Sequence, residues 1–406
     1  MADPQASEML TALLEKNHLE HALLLPDGST HSHMAHLLIS AHRLNSTTSH
    51  LEAIYTTTES SLIPWKPAEY SITSDEDLFS HLGDQSYQRA FIQYFDRRLQ
   101  DFDNDWSALF KHYLLEGPMP MLGGLTGGFA HPLIMVADAV DVGDPHVAVE
   151  ALALTAYDWN ALHKLTDGPP PPAREGSGRE WTVLQILGQI RDDTVFDELL
   201  QKPGVRNTMV VLQSDHARQA LLGYLGALHV AVDNVDTILP ELVEAAVHLL
   251  CTIHVKPSAS TAFTQHKFDF YLTHQLTFCW CVKTLIPFLD SVASAKLLRM
   301  VWLMMVLTYV TQLRPKMKPE ILVDTPLPTG DRTNIWDEMA AATVGGITGK
   351  DADPHFVKVI RTLKEFAQMW PEREENFLKA AIRFDGEFSG WTGFGEAGEE
   401  RTDVEM

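Results

Sequence analysis

Apolar residues recur at three- and four-residue steps through most of the chain. The runs cover 5–25, 33–54, 87–115, 147–164, 179–201, 215–255, 268–289, 292–313, 335–344 and 354–370. That spacing gathers the apolar side chains on one face of a helix and polar ones on the other. Sustained period-two alternation is scarce, and no strand–turn–strand pattern stands out. The expectation is an all-α fold, a single large multi-helix domain over 1–395, with a polar, acidic flexible tail at 396–406. Thr166–Gly178 (TDGPPPPAREGSG) reads as a long surface loop within that domain. Asp353-Pro354 reads as an N-cap followed by proline at the first helical position. Ser291 or Ser294 is expected to cap the helix after Pro287. No repeat of fixed period is visible, which counts against a solenoid.

Composition narrows the function classes. Of 406 residues, 45% are hydrophobic, enough for a large core. The 31 basic and 54 acidic side chains leave a net charge of −23, which disfavours a nucleic-acid partner. Gly117–Ala137 lacks Asp, Glu, Lys and Arg, but its three prolines and five glycines are unsuited to a spanning helix. Other apolar runs, such as Met300–Leu313, are shorter than a span, so no membrane association is expected. The start, MADPQASEML, has no basic n-region or apolar h-region. Cys251, Cys279 and Cys281 lie in apolar, helix-like sequence and form no disulfide framework. A reducing, cytoplasmic setting is the expectation.

Two glycine-rich stretches do not become nucleotide sites. Gly123–Gly128 lacks the G-x-G-x-x-G spacing and a preceding strand, and Gly345–Lys350 has Val344 and Asp351 where a P-loop needs Gly and Ser or Thr. No cofactor-binding fingerprint remains.

The nineteen histidines carry more information. Imidazole is the commonest ligand for transition metals near neutral pH. His33 and His36 are three apart at the start of an apolar helix, so they share a face. His131 precedes Pro132, directly after the glycine cluster, which places it at a helix entrance. His274 falls on the apolar stripe of 268–289. His355 falls in line with Val359, Thr362 and Phe366, with Lys358 one turn on. Each also has a plain reading: an exposed helix start, a cap, a hydrogen-bonded core histidine, a lysine reaching out to solvent.

Taken together, these blocks resemble the questin oxidase-like family of fungal anthraquinone ring-opening, Baeyer–Villiger-type oxygenases. The resemblance rests on the segment around His33 and His36, and on Gly127-Gly128-Phe-Ala-His131-Pro-Leu-Ile134. It continues through Lys267-Phe-Asp-Phe-Tyr-Leu-Thr-His274 with Ala295–Arg299, and through Pro354-His355-Phe-Val-Lys358-Val-Ile-Arg361, in family order. It implies a helical oxidoreductase of secondary metabolism that uses O2 on a quinone ring of a small aromatic polyketide. It further implies non-heme Fe(II), buried between helices and held by four histidines and a carboxylated lysine. Carried over, the ligands are His131, His274, His355, Lys358 and one of His33 or His36, with Lys358 also serving catalysis. Phe129, Phe270, Trp280 and Phe356 are candidates to line the substrate pocket, although each reads equally as core. Two positions depart from the family pattern: Met135 and Leu37 stand where a further histidine is common. An NADPH-dependent Baeyer–Villiger monooxygenase, with NADPH as external reductant, and a non-catalytic helical binding or scaffold protein are the competing readings.

Overall fold

The computed structural model describes residues 3–25, 30–173, 181–253 and 266–396. The acidic tail from 397 onwards and residues 174–178 of the Pro/Gly-rich loop lie outside the described residues. The helices, in chain order, are α1 (Pro4–Glu20), α2 (Met34–Arg43), α3 (Thr48–Glu59), α4 (Asp75–Ser80), α5 (Gln88–Asp101) and α6 (Trp106–Phe110). Then come α7 (Gly127–Val142), α8 (Pro145–Tyr157), α9 (Val183–Asp192), α10 (Asn207–Gln213), α11 (Asp215–Ala227) and α12 (Val235–Cys251). After them follow α13 (Phe270–Leu285), α14 (Ser291–Thr311), α15 (Glu320–Val323), α16 (Arg332–Thr343), α17 (Pro354–Met369) and α18 (Glu374–Glu387). The protein is all-α. Among the described residues the only sheet is a short parallel pair, β1 (His266–Asp269) with β2 (Phe388–Thr392).

Three long periodic stretches are broken where the apolar spacing alone shows no boundary. Asn45, at φ 67°, separates α2 from α3, and Asp103 and Asn104, at φ 54° and 63°, separate α5 from α6. Asn and Asp tolerate the left-handed region better than other non-glycine residues, so they end a helix without glycine. Residues 228–234 part α11 from α12. The cap expected at Ser291 or Ser294 is instead Asp290, whose side chain accepts from Ala293 N at 2.7 Å. The Asp353-Pro354 start holds as expected: Asp353 Oδ1 accepts from the backbone N–H of His355 and Phe356.

The chain forms two compact units. The first comprises Met1–Asp167 and Gly330–Arg361; the second, Gly168–Thr329 and Thr362–Met406. The first break falls within the Pro/Gly-rich segment. In the first unit α7 packs on α8, and α5 on α8, around side chains such as Leu38, Phe91, Ile92, Phe95 and Leu152, all with no exposed surface. In the second, α13 packs between α12 and α14, with Leu276, Phe278 and Leu303 equally enclosed. One described helix, α14, is long and apolar enough to cross a membrane, and 72% of that window is buried within the protein. A helix apolar all round belongs in a core when its faces are covered, as these are.

Candidate metal centre

Three helix starts in the first unit carry the histidine cluster. His33 is the N-cap residue of α2 and His36 lies one turn inside it. His355 and Lys358 occupy the first two turns of α17, whose start is fixed by the Asp353 cap. His131 is delivered by an unusual turn. Gly128, Phe129 and Ala130 are consecutively left-handed, at φ 51°, 54° and 58°, before the right-handed helix runs on from His131. Each non-glycine residue held there costs about 1–2 kcal/mol. Strain of this kind persists only where surrounding structure enforces it. Asp158 is part of that enforcement. Its carboxylate accepts from His31 Nε2 at 2.8 Å, and a Cβ on Gly128 would lie 2.1 Å from Asp158 Oδ2. The His31 ring in turn stacks on His131, centroids 4.3 Å apart.

One ligand atom from each of His33, His131 and His355 falls within 4.8 Å of the others. His33 Nε2 and His131 Nε2 are 3.1 Å apart. The His33 ring lies 4.6 Å from that of His355 and 5.7 Å from that of His36, centroid to centroid. His33 keeps some exposed surface as a residue, but its imidazole is enclosed by these rings. Lys358 is 4% exposed, so it does not reach solvent as a bare lysine on a helix usually does.

The hydrogen bonds settle which nitrogens carry protons. A carbonyl or carboxylate oxygen only accepts, so a ring nitrogen facing one donates and leaves the other nitrogen of a neutral ring with its lone pair. His131 Nδ1 donates to Gly128 O at 2.8 Å, and His36 Nδ1 donates to Asp138 Oδ2 at 2.6 Å. His355 Nδ1 stands 3.5 Å from Asp353 Oδ1. Histidine anchored through Nδ1, with Nε2 turned inward, is how metal-binding imidazoles are held. His36 Nε2 is buried without a hydrogen-bond partner. Burial, with His355, Lys358 and His36 adding repulsion, holds His33 well below the usual histidine range. Burial also lowers His36, against the pull of Asp138. Neutral imidazoles are the form a metal needs.

The other candidates sit as follows. Phe129 lies in the left-handed turn, partly exposed. Phe356 is fully buried, with the Lys350 ammonium 5.0 Å from its ring centre. Met135 and Leu37, the two departures, are buried apolar residues of α7 and α2. His274, Phe270 and Trp280 belong to the second unit. There His274 is buried on α13 and its Nδ1 donates to Phe270 O at 2.7 Å, the same anchoring as His131. Phe270 packs on Trp391 and Phe394, and buried Trp280 donates its Nε1–H to Glu365. Sequence reading did not pick out Asp138 or Asp158, and took in Arg361 only as the end of a family block. A charge on the otherwise apolar stretch of α7 was the available signal for Asp138.

Comparison with known proteins gives the following relatives. The chain is 25% identical over 302 residues to Baeyer-Villiger monooxygenase AacuH of Aspergillus aculeatus, covering 68% of this chain and 62% of that protein. It is 21% identical over 379 residues to a questin oxidase of Aspergillus fumigatus, covering 90% and 82%. It is 26% identical over 161 residues to Baeyer-Villiger oxidase AgnL3 of Paecilomyces divaricatus, covering 38% and 35%. The match thus spans less than two thirds of the length of the Aspergillus aculeatus relative. The questin oxidase-like family model matches residues 30–363, which include every histidine of the cluster. On that match the chain belongs to the questin oxidase-like family.

Proposed function

We propose that this protein is an oxygenase that uses O2 on a quinone ring of an anthraquinone-type polyketide, with Fe(II) as its metal. The observation that carries the reading is the convergence of His33, His131 and His355 ligand atoms within 4.8 Å, beside the partnerless His36 Nε2. The donor set fits such an ion. Imidazole Nε2 lone pairs suit a divalent first-row metal, and the Nδ1 atoms of His131 and His36 are already tied by hydrogen bonds. Bound iron would supply O2 activation and polarise a substrate oxygen. Buried Lys358 fits as a carbamate better than as an ammonium, because a positive charge beside a cation is repulsive. A neutral amine and CO2 form that carbamate with release of a proton, turning the side chain into an anionic oxygen donor.

The chain's own residues would hold neutral imidazoles in place and keep water from them. With the His131 proton on Nδ1, His33 Nε2 is the donor in its 3.1 Å contact with His131 Nε2. For a cation to be held by both Nε2 atoms, the neutral His33 ring would have to carry its proton on Nδ1 instead. Flanking His31, hydrogen-bonded to Asp158 and stacked on His131, helps fix the His131 ring beside the centre.

Two relatives are named as Baeyer-Villiger enzymes, which favours a second reading in which the oxygen insertion is of that type; NADPH would then be the external reductant. The stoichiometries differ. A monooxygenase places one oxygen atom in the product and one in water, consuming one NADPH, whereas a dioxygenase places both in the product. Iron content of purified protein, and oxygen uptake with a hydroxyanthraquinone with and without NADPH, separate these readings. We expect bound iron, lost in His131→Ala and His355→Ala with the helical circular dichroism retained. Folded protein that takes up no transition metal and consumes no oxygen would leave a helical binding protein instead.

A further inference from the structure

Each of the three helices that bring histidines to the cluster also carries polar residues one to three turns further on. On α2, Ser40 and Arg43 follow His36; on α7, Asp138 and Asp141 follow His131; on α17, Arg361 follows Lys358. Helical spacing places them on the same faces as the ligands, one layer away. They touch. Asp138 Oδ2 accepts from His36 Nδ1 at 2.6 Å, and its Oδ1 accepts from Arg361 Nη1 at 3.1 Å. The second fork of Arg361 donates to Asp141 Oδ2 at 2.6 Å, and Nη1 also reaches Ser40 Oγ at 3.4 Å. Arg43 closes the set on Asp141, at 2.9 Å from Nε and 2.8 Å from Nη2. His36, Asp138 and Arg361 are 0%, 1% and 3% exposed.

We infer that Asp138, clamped by Arg361, is a positioning residue that locks His36 with its Nε2 lone pair turned towards the metal. The same two arginines and two aspartates weld α2, α7 and α17 in register. This rests on the metal centre of the proposed function and deepens it, by assigning His36 a donor role alongside His33. The charges balance, two guanidinium groups against two carboxylates, so a neutral His36 adds no net charge to a network whose inner members, His36, Asp138 and Arg361, are buried and whose outer member Arg43 is exposed. Such a network is tolerable only when every member is satisfied, as these are. Asp138 uses both its oxygens, one on each donor. That leaves no slack.

The test is Asp138→Asn. An amide offers one acceptor where the carboxylate offered two. Arg361 cannot give up its protons, so the amide oxygen turns to it and the NH2 faces His36. His36 must then accept at Nδ1 and carry its proton on Nε2, which removes the metal-facing lone pair. Nitrogen–proton correlation spectra of the metal-free protein, with 15N-labelled histidine, read this directly. We expect wild-type His36 as the Nδ1–H tautomer and the D138N variant as Nε2–H. Cobalt(II) titration followed by visible absorption should show binding about 10–100-fold weaker in D138N. In a His36→Ala background the same change should cost nothing more, as a double-mutant cycle requires.

Wild-type His36 found as Nε2–H overturns the inference with no variant needed. So does D138N that binds cobalt as wild type does, and in that case the metal centre stands. Wild-type protein that binds no cobalt overturns the proposed function first, and the metal-facing role of His36 with it. If D138N is poorly folded, Arg361→Lys keeps the charge but loses the fork. It should weaken cobalt binding with the His36 tautomer unchanged; unaltered binding counts against the clamp.

Discussion

Gly128→Ala probes the left-handed turn that delivers His131, and its cost follows from two separable contributions. Gly128 sits at φ 51°, where an alanine is disfavoured by about 1–2 kcal/mol. The added Cβ would also fall 2.1 Å from Asp158 Oδ2 and 2.8 Å from His31 Cε1. Asp158 must withdraw, and its hydrogen bond with His31, 2.8 Å long, breaks. A bond to a charged group is worth about 1.5–3 kcal/mol. Together the substitution should cost about 2.5–5 kcal/mol in urea unfolding. Gly143→Ala is the control. That residue is also left-handed, at φ 69°, but a Cβ there meets nothing within 4 Å, so only the conformational cost of about 1–2 kcal/mol applies. The double variant Gly128→Ala with Asp158→Ala removes the collision with Asp158 and leaves only the 2.8 Å contact with His31 Cε1, so it should lose less than the sum of the two single variants. The assay is the shift in urea midpoint at constant slope, with cobalt affinity measured in parallel. Equal losses in G128A and G143A would refute the claim that Asp158 props the turn.

Two further outcomes are expected. Burial opposes a charge on His18, yet its contacts with Asp96 at 3.0 Å and Glu150 at 3.3 Å outweigh this and raise its pKa to about 9. The raised value means the stabilisation is complete below the unfolded pKa near 6.5 and lost as pH climbs through about 9, on the order of 3 kcal/mol. Urea unfolding at pH 6 and pH 9.5 should show that loss in wild type and a smaller one in His18→Gln; identical pH dependence in the two would remove the argument. Phe356→Ala should cost about 3–5 kcal/mol in stability, because the ring is fully enclosed. A stable F356A protein altered only in substrate affinity would instead return Phe356 to the pocket wall.

Much of the helical content was readable from spacing alone, because a 3.6-residue period is a local property of the chain. The interruptions at Asn45 and Asp103-Asn104 are local as well, but their signal is one or two tolerant residues inside an unbroken apolar pattern. The Asp353 cap was legible, while the cap at Asp290 was missed in favour of Ser291 or Ser294. The left-handed turn had no signature beyond Gly127-Gly128, since Phe129 and Ala130 are poor left-handed residues and are held there only by contacts with distant chain.

The sequence by itself determined that the protein is helical, that His274 and His355 fall on apolar helix stripes, and which family motifs it carries. It left His33 and His36 as alternatives, because two residues three apart on one helix face look the same from the chain. Only the tertiary structure separated their surroundings: His33 faces His131 and His355, whereas His36 is bound through Nδ1 to Asp138. Asp138 and Arg361 lie 102 and 325 residues from His36 along the chain, which no local pattern can relate. Folding brings them to hydrogen-bond distance, and burial there makes a charge network tolerable only when every partner is in place.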